Sequence, residues 1–587
     1  MMMQESLRES VEKAVHEVCG KKPDADFSLE FPEDPAHGEY ATNAALMYAK
    51  TLGMQPRELA EKFAVHIRAH MPHGVERIEV AGPGFINFHL SHEALSHVLQ
   101  QIVTEGGRFG SNQLFAGKKI AIEYTDPNPF KEFHIGHFMS NTIGESLARI
   151  VEFSGAEIRR ANYQGDVGMH VAKAVWGMKV ARDTGELAHI RNENNLAKAE
   201  FMGKAYAYGA GLYEEDEKVK EEIKAINKEI FEKSDPEIIS IYEEGKKWSL
   251  EYFETVYARL GTKFDHYFFE SETARKGKEL VEDGLAKGIF EPSDGAVVFR
   301  GDREGLHTRV FINSEGLPTY EAKELGLAFL KHEWWPFDLT YVLTGNEIAE
   351  YFKVVLAAMK KMLPEIAPKI IHVPHGMLRL ASGKMSSRTG SVITAMQLLE
   401  EVTKALGPKM KERHMSGEDE ARTKDAVAVG AVKYSILRQS TGKDIIFDFN
   451  ASLSFEGDSG PYIQYAHARA CSVLVKAIKA GIHPSLHNAE VGSPPTATCG
   501  DPTSAFRVER LLMQFPEFVL RAAREREPHH IAGYLITLAQ AYNSFYAHER
   551  ILDAGEEAPY RVALTHAVAA SIKNGLDLLG IEAPERM

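Results

Sequence analysis

Apolar residues change from strand spacing to helix spacing in the middle of the chain. A strand-like run over residues 119–124 is followed by Phe138, Ile143, Leu147 and Ile150, which recur at helical spacing. Further strand-like segments lie at residues 156–163, 296–300, 308–313 and 341–344. Strands that alternate with helices in this way predict a parallel, doubly wound, Rossmann-like sheet in a multidomain α/β protein.

The same patterns divide the first part of the chain into two predicted domains. Residues 1–110 are typical of a small α+β unit. Its predicted elements are helices ending at Val18, over 40–50 and over 56–69, and a strand over 75–80. Residues 111–410 form the predicted α/β domain. Within it, residues 183–260 are rich in Glu, Lys and Ala at helical spacing, which predicts solvated inserted helices without chemistry.

The end of the chain has a different character. Residues 411–424 are charged and poor in large apolar residues, which predicts a linker. Residues 425–587 are predicted to form an all-α bundle, interrupted by a Pro/Gly/Ser/Thr-rich loop over 487–504.

Composition places the chain among soluble globular proteins. It is 44% hydrophobic and 26% charged, and no apolar run reaches membrane-spanning length. The N-terminus lacks the basic and apolar segments of a secretory signal, and the 3 cysteines are too scattered for a disulfide framework. We therefore predict a cytoplasmic protein. Because the formal net charge is -15, any contact with nucleic acid depends on a local basic face.

A histidine-rich segment, residues 127–137 (PNPFKEFHIGH), lies at the first strand-to-helix junction. It places His134, Gly136 and His137 where the helix begins. Backbone N–H groups and the helix dipole favour an anion there, and the histidines add donors. Gly136, which lacks Cβ, lets a flat base or ribose approach the backbone. The junction is a candidate site for a nucleoside triphosphate.

A second candidate segment is GKMSSR at residues 383–388, where Lys384 can move toward a departing pyrophosphate. It is not a Walker loop, because the required preceding glycine is missing. Each segment alone has a simpler explanation, since an isolated H-x-x-H is usually two unrelated histidines. A metal site at His134 and His137 lacks a third ligand nearby. Both segments together, in this order, favour nucleotide chemistry.

The pair resembles the two signature motifs of class I aminoacyl-tRNA synthetases, whose nucleotide-binding fold activates an amino acid as its adenylate. Other segments resemble the arginyl-tRNA synthetase family over essentially the whole chain. They are residues 38–43 (GEYATN), 165–168 (GDVG), 317–320 (LPTY), 462–469 (YIQYAHAR) and 515–517 (FPE).

This resemblance implies ATP-dependent ligation of L-arginine to tRNA(Arg) through an arginyl-adenylate, for translation. It also implies that Mg²⁺ accompanies ATP without a dedicated protein site. The N-terminal domain would contact the corner of the tRNA and the bundle its anticodon stem. We expect a monomer without membrane attachment.

The resemblance also assigns roles to single residues. The implied catalytic residues are Lys131, His134, Gly136, His137, Lys384, Met385, Ser386 and Ser387. Those implied for arginine are Glu123, Asn128, Tyr320 and Glu324, which suits a planar cation that needs carboxylates. Those implied for ATP are His134, His137, Gly345, Asn346, Met377 and Lys384. Those implied for tRNA are Tyr462, Gln464, Tyr465 and His467.

Four positions depart from the family pattern. Glu324 stands where aspartate is usual, and His170 where glutamine is typical. Glu347 lies in a loop that usually contains glutamine. Ser387 replaces a second lysine of the signature loop, and Lys131 is predicted to restore the lost charge from the opposite side of the phosphates.

Two other functions stay open on the sequence. One is a non-catalytic tRNA-binding or regulatory paralogue, although the signature residues are retained. The other is a different enzyme that uses the same nucleotidyl-transfer fold on a small acid, for which the helical bundle and the N-terminal domain would be superfluous.

Overall fold

The computed structural model of the chain describes residues 3–20, 26–32, 34–380, 393–410, 417–485 and 504–587. The GKMSSR segment lies outside these ranges, and with it the candidates Lys384, Met385, Ser386 and Ser387. None of the helices in the described ranges combines the length and apolar character that a membrane span requires.

The N-terminal unit combines helices with a small antiparallel sheet. Its elements are α1 (Met3–Cys19), β1 (Leu29–Glu30), β2 (Tyr40–Thr42), α2 (Ala44–Leu52), α3 (Pro56–Ala69), β3 (Val75–Ala81), β4 (Phe85–Leu90) and α4 (His92–Glu105). The strands lie in the order β1-β2-β4-β3, and Leu7, Phe63 and Phe88 share one core. The helix predicted over residues 40–50 starts only at Ala44, because residues 40–42 pair with β4.

The central unit is an α/β domain. Its first elements are β5 (Lys119–Glu123), α5 (Ile135–Phe153), β6 (Glu157–Gln164), α6 (Met169–Asp183), α7 (Glu186–Ile190), α8 (Asn195–Glu215), α9 (Glu217–Glu232), α10 (Pro236–Leu260), β7 (His266–Phe269) and α11 (Glu270–Ala286). The others are β8 (Glu291–Ser293), β9 (Ala296–Phe299), β10 (Arg309–Ile312), α12 (Tyr320–Trp334), β11 (Leu339–Gly345), α13 (Ala349–Met362), β12 (Ile370–His375), β13 (Leu378–Leu380) and α14 (Ala395–Met410).

Its main sheet has the order β12-β11-β5-β6-β7, with every neighbouring pair parallel. This confirms the predicted α/β class. Helix α5 packs on the sheet through Phe138, Ile143, Leu147 and Ile150, all of which are buried as their spacing predicted.

The last unit is helical. Its elements are α15 (Gly417–Leu437), β14 (Ile445–Phe447), α16 (Phe449–Ser452), α17 (Gly460–Lys479), α18 (Ser504–Glu525), α19 (His529–His548) and α20 (Ala558–Leu578). The predicted linker is partly wrong: residues 417–424 begin α15, whose first turn carries Glu418, Asp419 and Glu420. Acidic side chains at this end stabilise a helix dipole, so the charged run is a helix start.

Candidate active site

The crevice of the sheet lies where the strand order reverses. Strands β6 and β7 follow β5 on one side, and β11 and β12 lie on the other. In open α/β sheets, ligands bind beyond the carboxyl ends of the strands at such a point. Glu123 and Gly345 end the two strands that flank it.

The histidine junction forms the N-terminus of α5. His134 is the N-cap residue, and its Nδ1 accepts hydrogen bonds from the backbone N–H groups of Gly136 (3.1 Å) and His137 (3.3 Å). The Nδ1 of His137 accepts in turn from the backbone N–H of His134 (3.4 Å). The two rings stack with their centroids 3.6 Å apart. The histidines therefore cap the helix themselves.

This geometry fixes how the rings are protonated. Because each Nδ1 is an acceptor, each neutral ring carries its proton on Nε2. Burial, and secondarily Lys131, lowers the pKa of His134. Burial, His134 and Lys131 lower the pKa of His137 well below its usual range. Each ring is therefore neutral near pH 7 and has its Nε2–H free of the cap.

The structure gives a second reason for a glycine at position 136, besides the predicted approach of a base. A Cβ at this position would lie 2.9 Å from Cε1 and 3.0 Å from Nδ1 of His134. The glycine leaves room for the capping ring.

The chain that follows GKMSSR returns to this junction. The backbone N–H of Ile135 donates to the carbonyl of Ile393 (3.2 Å), and that of Ala395 donates to the carbonyl of Phe133 (2.8 Å). Ile393 and Ala395, which follow the second segment in the sequence, therefore lie beside the first segment.

Lys131 lies on the side of the inserted helices. Its Nζ is 5.2 Å from the ring centre of Tyr206 in α8. Burial and the charge of Lys173 lower its pKa. Helix α10 also contacts this loop, since Ser249 Oγ accepts from the backbone N–H of Phe130 (2.8 Å). The inserted helices thus shape the junction, which the sequence did not indicate.

Buried carboxylates gather on the other side of the crevice. Glu123 forms an ion pair with Lys331, and both side chains are 2% exposed. Glu270 pairs with Lys323 over 2.6 Å. Burial and the charge of Glu123 raise the pKa of Glu324 to about 8. The sequence missed both lysines and Glu270.

The other substrate candidates border this cluster. Asn128 packs over Gly165, where an added Cβ would lie 2.3 Å from Asn128 Oδ1 and 3.3 Å from Glu270 Oε1. Tyr320 is 63% exposed at the start of α12, with Lys323 Nζ 4.9 Å from its ring centre.

Asp166 of the GDVG segment and His170, which lies just after that segment, hold the neighbouring loops. Asp166 is fully buried and accepts from Tyr242 Oη (2.9 Å), Lys246 Nζ (2.8 Å) and Ser271 Oγ (2.8 Å). His170 Nε2 donates to the carbonyl of Gly165 (2.9 Å), and its pKa is lowered to about 4, chiefly by burial. The departure at His170 therefore has a structural partner within the site.

The ATP candidates on β11 and beyond lie in a connected loop region. Asn346 Nδ2 donates to the carbonyl of Gly442 (2.9 Å), and the backbone N–H of Met377 donates to Asp444 Oδ1 (2.9 Å). A Cβ at Gly345 would lie 2.2 Å from Glu347 Oε2, so the departure at Glu347 fills the space over this glycine.

The tRNA candidates of α17 divide into two groups. Gln464 is 0% exposed and donates to the carbonyls of Ala426 (3.2 Å) and Glu582 (2.8 Å). His467 is 3% exposed and bonds to the carbonyl of Pro584 (2.9 Å). For these two, the prediction of RNA contact is corrected: their side chains are buried and hold the C-terminal tail.

Tyr462 and Tyr465 are only partly buried. The guanidinium of Arg469 lies 4.6 Å from the ring centre of Tyr465 and 4.8 Å from that of Tyr546 in α19. Arg469 thus lies against two partly exposed aromatic rings, one on α17 and one on α19.

Three family models match the chain. One described as "tRNA synthetases class I (R), catalytic domain" matches residues 98–449. "Arginyl tRNA synthetase N terminal domain" matches residues 4–90, and "DALR anticodon binding domain" matches residues 463–587.

Whole proteins match over nearly their full length. An arginine–tRNA ligase of Treponema denticola is 30% identical over 594 residues, which cover 100% of this chain and 99% of the relative. One of Streptococcus agalactiae is 31% identical over 95% of each chain. The solved arginyl-tRNA synthetase of Thermus thermophilus has a TM-score of 0.79 at 26% identity and full coverage of both chains.

Proposed function

The chain belongs to the arginyl-tRNA synthetase family of class I and ligates arginine to tRNA with ATP, and we propose how its residues divide this work. Arginine binds in the carboxylate cluster, with Glu324, Glu123, Asn128 and Tyr320 as its contacts. ATP binds across the start of α5, with its other contacts at Gly345, Asn346 and Met377. The GKMSSR residues act on the leaving pyrophosphate.

The proposed positions of arginine and ATP lead to a reaction in two steps. The carboxylate of arginine attacks the α-phosphorus of ATP, and pyrophosphate leaves. The terminal ribose hydroxyl of tRNA next takes the arginyl group and releases AMP. Fixed donors that meet growing charge supply most of such a rate enhancement, and the Nε2–H groups of His134 and His137 are such donors.

One observation carries this assignment: a buried carboxylate cluster with a raised pKa at Glu324 lies in the same crevice as a neutral histidine cap. The cluster suits a guanidinium, and the cap suits a triphosphate.

Pyrophosphate exchange and tRNA charging, measured with each amino acid with and without total tRNA, test the assignment. Among the amino acids, only arginine is expected to support exchange and charging. Binding of tRNA without exchange would favour the paralogue, and exchange with another acid would favour the different enzyme.

We further propose a cytoplasmic monomer. We also propose that Mg²⁺ enters with the triphosphate, as is usual for this ion. The proposed domains are residues 1–110 for the tRNA corner, 111–410 for catalysis with the insertion over about 183–260, and 425–587 for the anticodon stem.

Lys131→Ala is expected to slow adenylate formation by about 10²-fold, because a positive charge beside the two histidine donors is lost. Lys198→Ala is the matched control, since Lys198 Nζ also lies near an aromatic ring, 5.5 Å from that of Trp248 in the inserted helices. Single-turnover rates with saturating ATP measure the effect.

The proposed compensation for Ser387 has its own test. Ser387→Lys is expected to recover part of the rate lost in Lys131→Ala, because both positions would serve one charge. Additive effects of the two changes would refute the compensation and leave the enzyme's identity intact.

Tyr465→Ala is expected to raise KM for tRNA by about tenfold or more, because a stacked base contributes roughly 1–3 kcal/mol. KM for arginine and for ATP should stay unchanged. Tyr208→Ala is the control, since Tyr208 is 52% exposed on α8 of the insertion. Equal effects of the two changes would remove Tyr465 from the tRNA surface.

A further inference from the structure

Asp126 lies in the loop between β5 and α5 with an unusual backbone. Its φ is +48°, and that of Thr125 is +82°. Non-glycine residues adopt this region at a cost and retain it mainly at functional sites. Asp126 Oδ1 accepts from the backbone N–H of Tyr163 near the end of β6 (2.8 Å). The loop thus fixes the carboxylate at the carboxyl edge of the sheet.

The charges around Asp126 do not balance. Lys331 neutralises Glu123, and Lys323 neutralises Glu270. In the described part of the chain, neither Asp126 nor Glu324 forms a salt bridge. Burial and the charge of Glu123 raise the pKa of both carboxyls. Arg309 pairs with Glu321 over 3.9 Å and lies 5.7 Å from the ring centre of Tyr351. Asp126 and Glu324 are therefore the carboxyls of this cluster that have no ion pair among the described residues.

Tyr351 provides an independent observation. Its hydroxyl, on the first turn of α13, is buried and has no hydrogen-bond partner among the described residues. Burial, followed by the charge of Glu324, raises the pKa of Tyr351 well above the usual range. Buried hydroxyls are usually bonded, so the Tyr351 hydroxyl is available to a ligand that enters the crevice.

We propose that Asp126 and Tyr351 complete the specificity pocket, in which the substrate guanidinium lies between Asp126 and Glu324 and donates to the Tyr351 hydroxyl. The guanidinium has five donors in a fixed fork, enough for two carboxylates and one neutral acceptor. The proposal rests on the arginine-binding role proposed above and extends it to two residues that the sequence did not mark.

Proton release is the signature of this arrangement. The charged and titratable groups around the two carboxyls are Glu123, Glu270, Glu321, Lys331, Tyr163 and Tyr351, and Arg309 lies beside Tyr351. A bound guanidinium favours the ionised carboxylates and lowers their raised pKa values. Arginine binding should therefore release protons near neutral pH, and its affinity should rise as pH increases toward 8, the approximate pKa of Glu324.

The decisive variant is Asp126→Asn, which keeps an oxygen for the Tyr163 N–H and removes the charge. Its control is Asp338→Asn, since Asp338 Oδ2 accepts the backbone N–H of Lys119 (2.9 Å) at the opposite end of β5. We expect kcat/KM for arginine to fall about 10- to 100-fold in Asp126→Asn only. KM for ATP should not change.

Tyr351→Phe removes only the hydroxyl and should lower kcat/KM for arginine about 2- to 10-fold. Tyr534→Phe, which removes another buried hydroxyl without a partner in the described residues, should have no such effect. If Asp126 and Tyr351 only stabilised the fold, each variant and its control would show a similar loss of melting temperature. KM for arginine would then stay unchanged.

Calorimetry in two buffers of different ionisation enthalpy counts the protons that arginine releases. Release by the parent protein that is reduced in Asp126→Asn supports the proposal. Equal kinetics of Asp126→Asn and Asp338→Asn overturn it. If Asp126→Asn does not fold, an unchanged kcat/KM for arginine in Tyr351→Phe overturns the proposal, and a loss in Tyr351→Phe that Tyr534→Phe does not show supports it. A parent protein that does not charge arginine refutes the proposed function instead.

Discussion

Glu324→Gln is expected to lower kcat/KM for arginine by about 10²- to 10³-fold, with KM for ATP nearly unchanged. Glutamine keeps the shape of the side chain and removes the charge that faces the substrate cation. Breaking a buried charge pair costs about 3–5 kcal/mol, and the lower part of that range corresponds to the expected loss in kcat/KM. Steady-state pyrophosphate exchange with tRNA present measures both constants.

Citrulline gives the reciprocal test on the parent enzyme. It is nearly isosteric with arginine but neutral, so it would leave the buried carboxylates without a cation. A site built around such groups rejects the unpaired analogue by roughly 10⁴-fold. Activation of citrulline at a rate comparable to that of arginine would show that the pocket has been assigned to the wrong place.

The control for Glu324→Gln lies on the same helix. Glu333 is exposed on α12, and its replacement by glutamine changes the net charge of the protein equally. Glu333→Gln should leave kcat/KM within experimental error. A comparable loss in both variants would trace the effect to the overall charge.

The sequence predicted what depends on local spacing. The alternation of strand and helix periods placed β5 and α5, and the spacing of Phe138, Ile143, Leu147 and Ile150 gave the buried face of α5. It also placed His134 and His137 at the start of this helix. The helix predicted over 40–50 starts late, at Ala44, because residues 40–42 pair with β4, which lies more than 40 positions away in the sequence.

The local sequence pattern could not predict contacts between residues that lie far apart in the chain. Glu123 and Lys331 are 208 residues apart, and Gln464 meets the carbonyl of Glu582 across 118 residues. The local pattern does not show that Glu123, a candidate for binding the substrate, is paired with a lysine. Nor does it show that Gln464 is buried although its helix is rich in aromatic residues. The site candidates were therefore chosen by resemblance, while their charge partners emerged only from the fold.

His134→Ala is expected to lower the rate of adenylate formation by about 10²- to 10³-fold and to destabilise the protein as well. The rate falls because a donor to the triphosphate is lost at the moment its charge shifts. Stability falls because Nδ1 no longer accepts the N–H groups of Gly136 and His137. Loss of an N-cap costs about 1 kcal/mol.

His134→Asn separates these two roles. Asparagine is among the preferred N-cap residues, so its side-chain oxygen should retain the cap and most of the stability. Asparagine cannot replace the second ring nitrogen of His134, whose Nε2–H remains a donor while Nδ1 caps the helix. We therefore expect near-normal thermal unfolding with a rate still reduced by about 10²-fold. A normal rate in His134→Asn would mean that the ring serves only to start α5, and that the phosphate donors of this enzyme lie elsewhere.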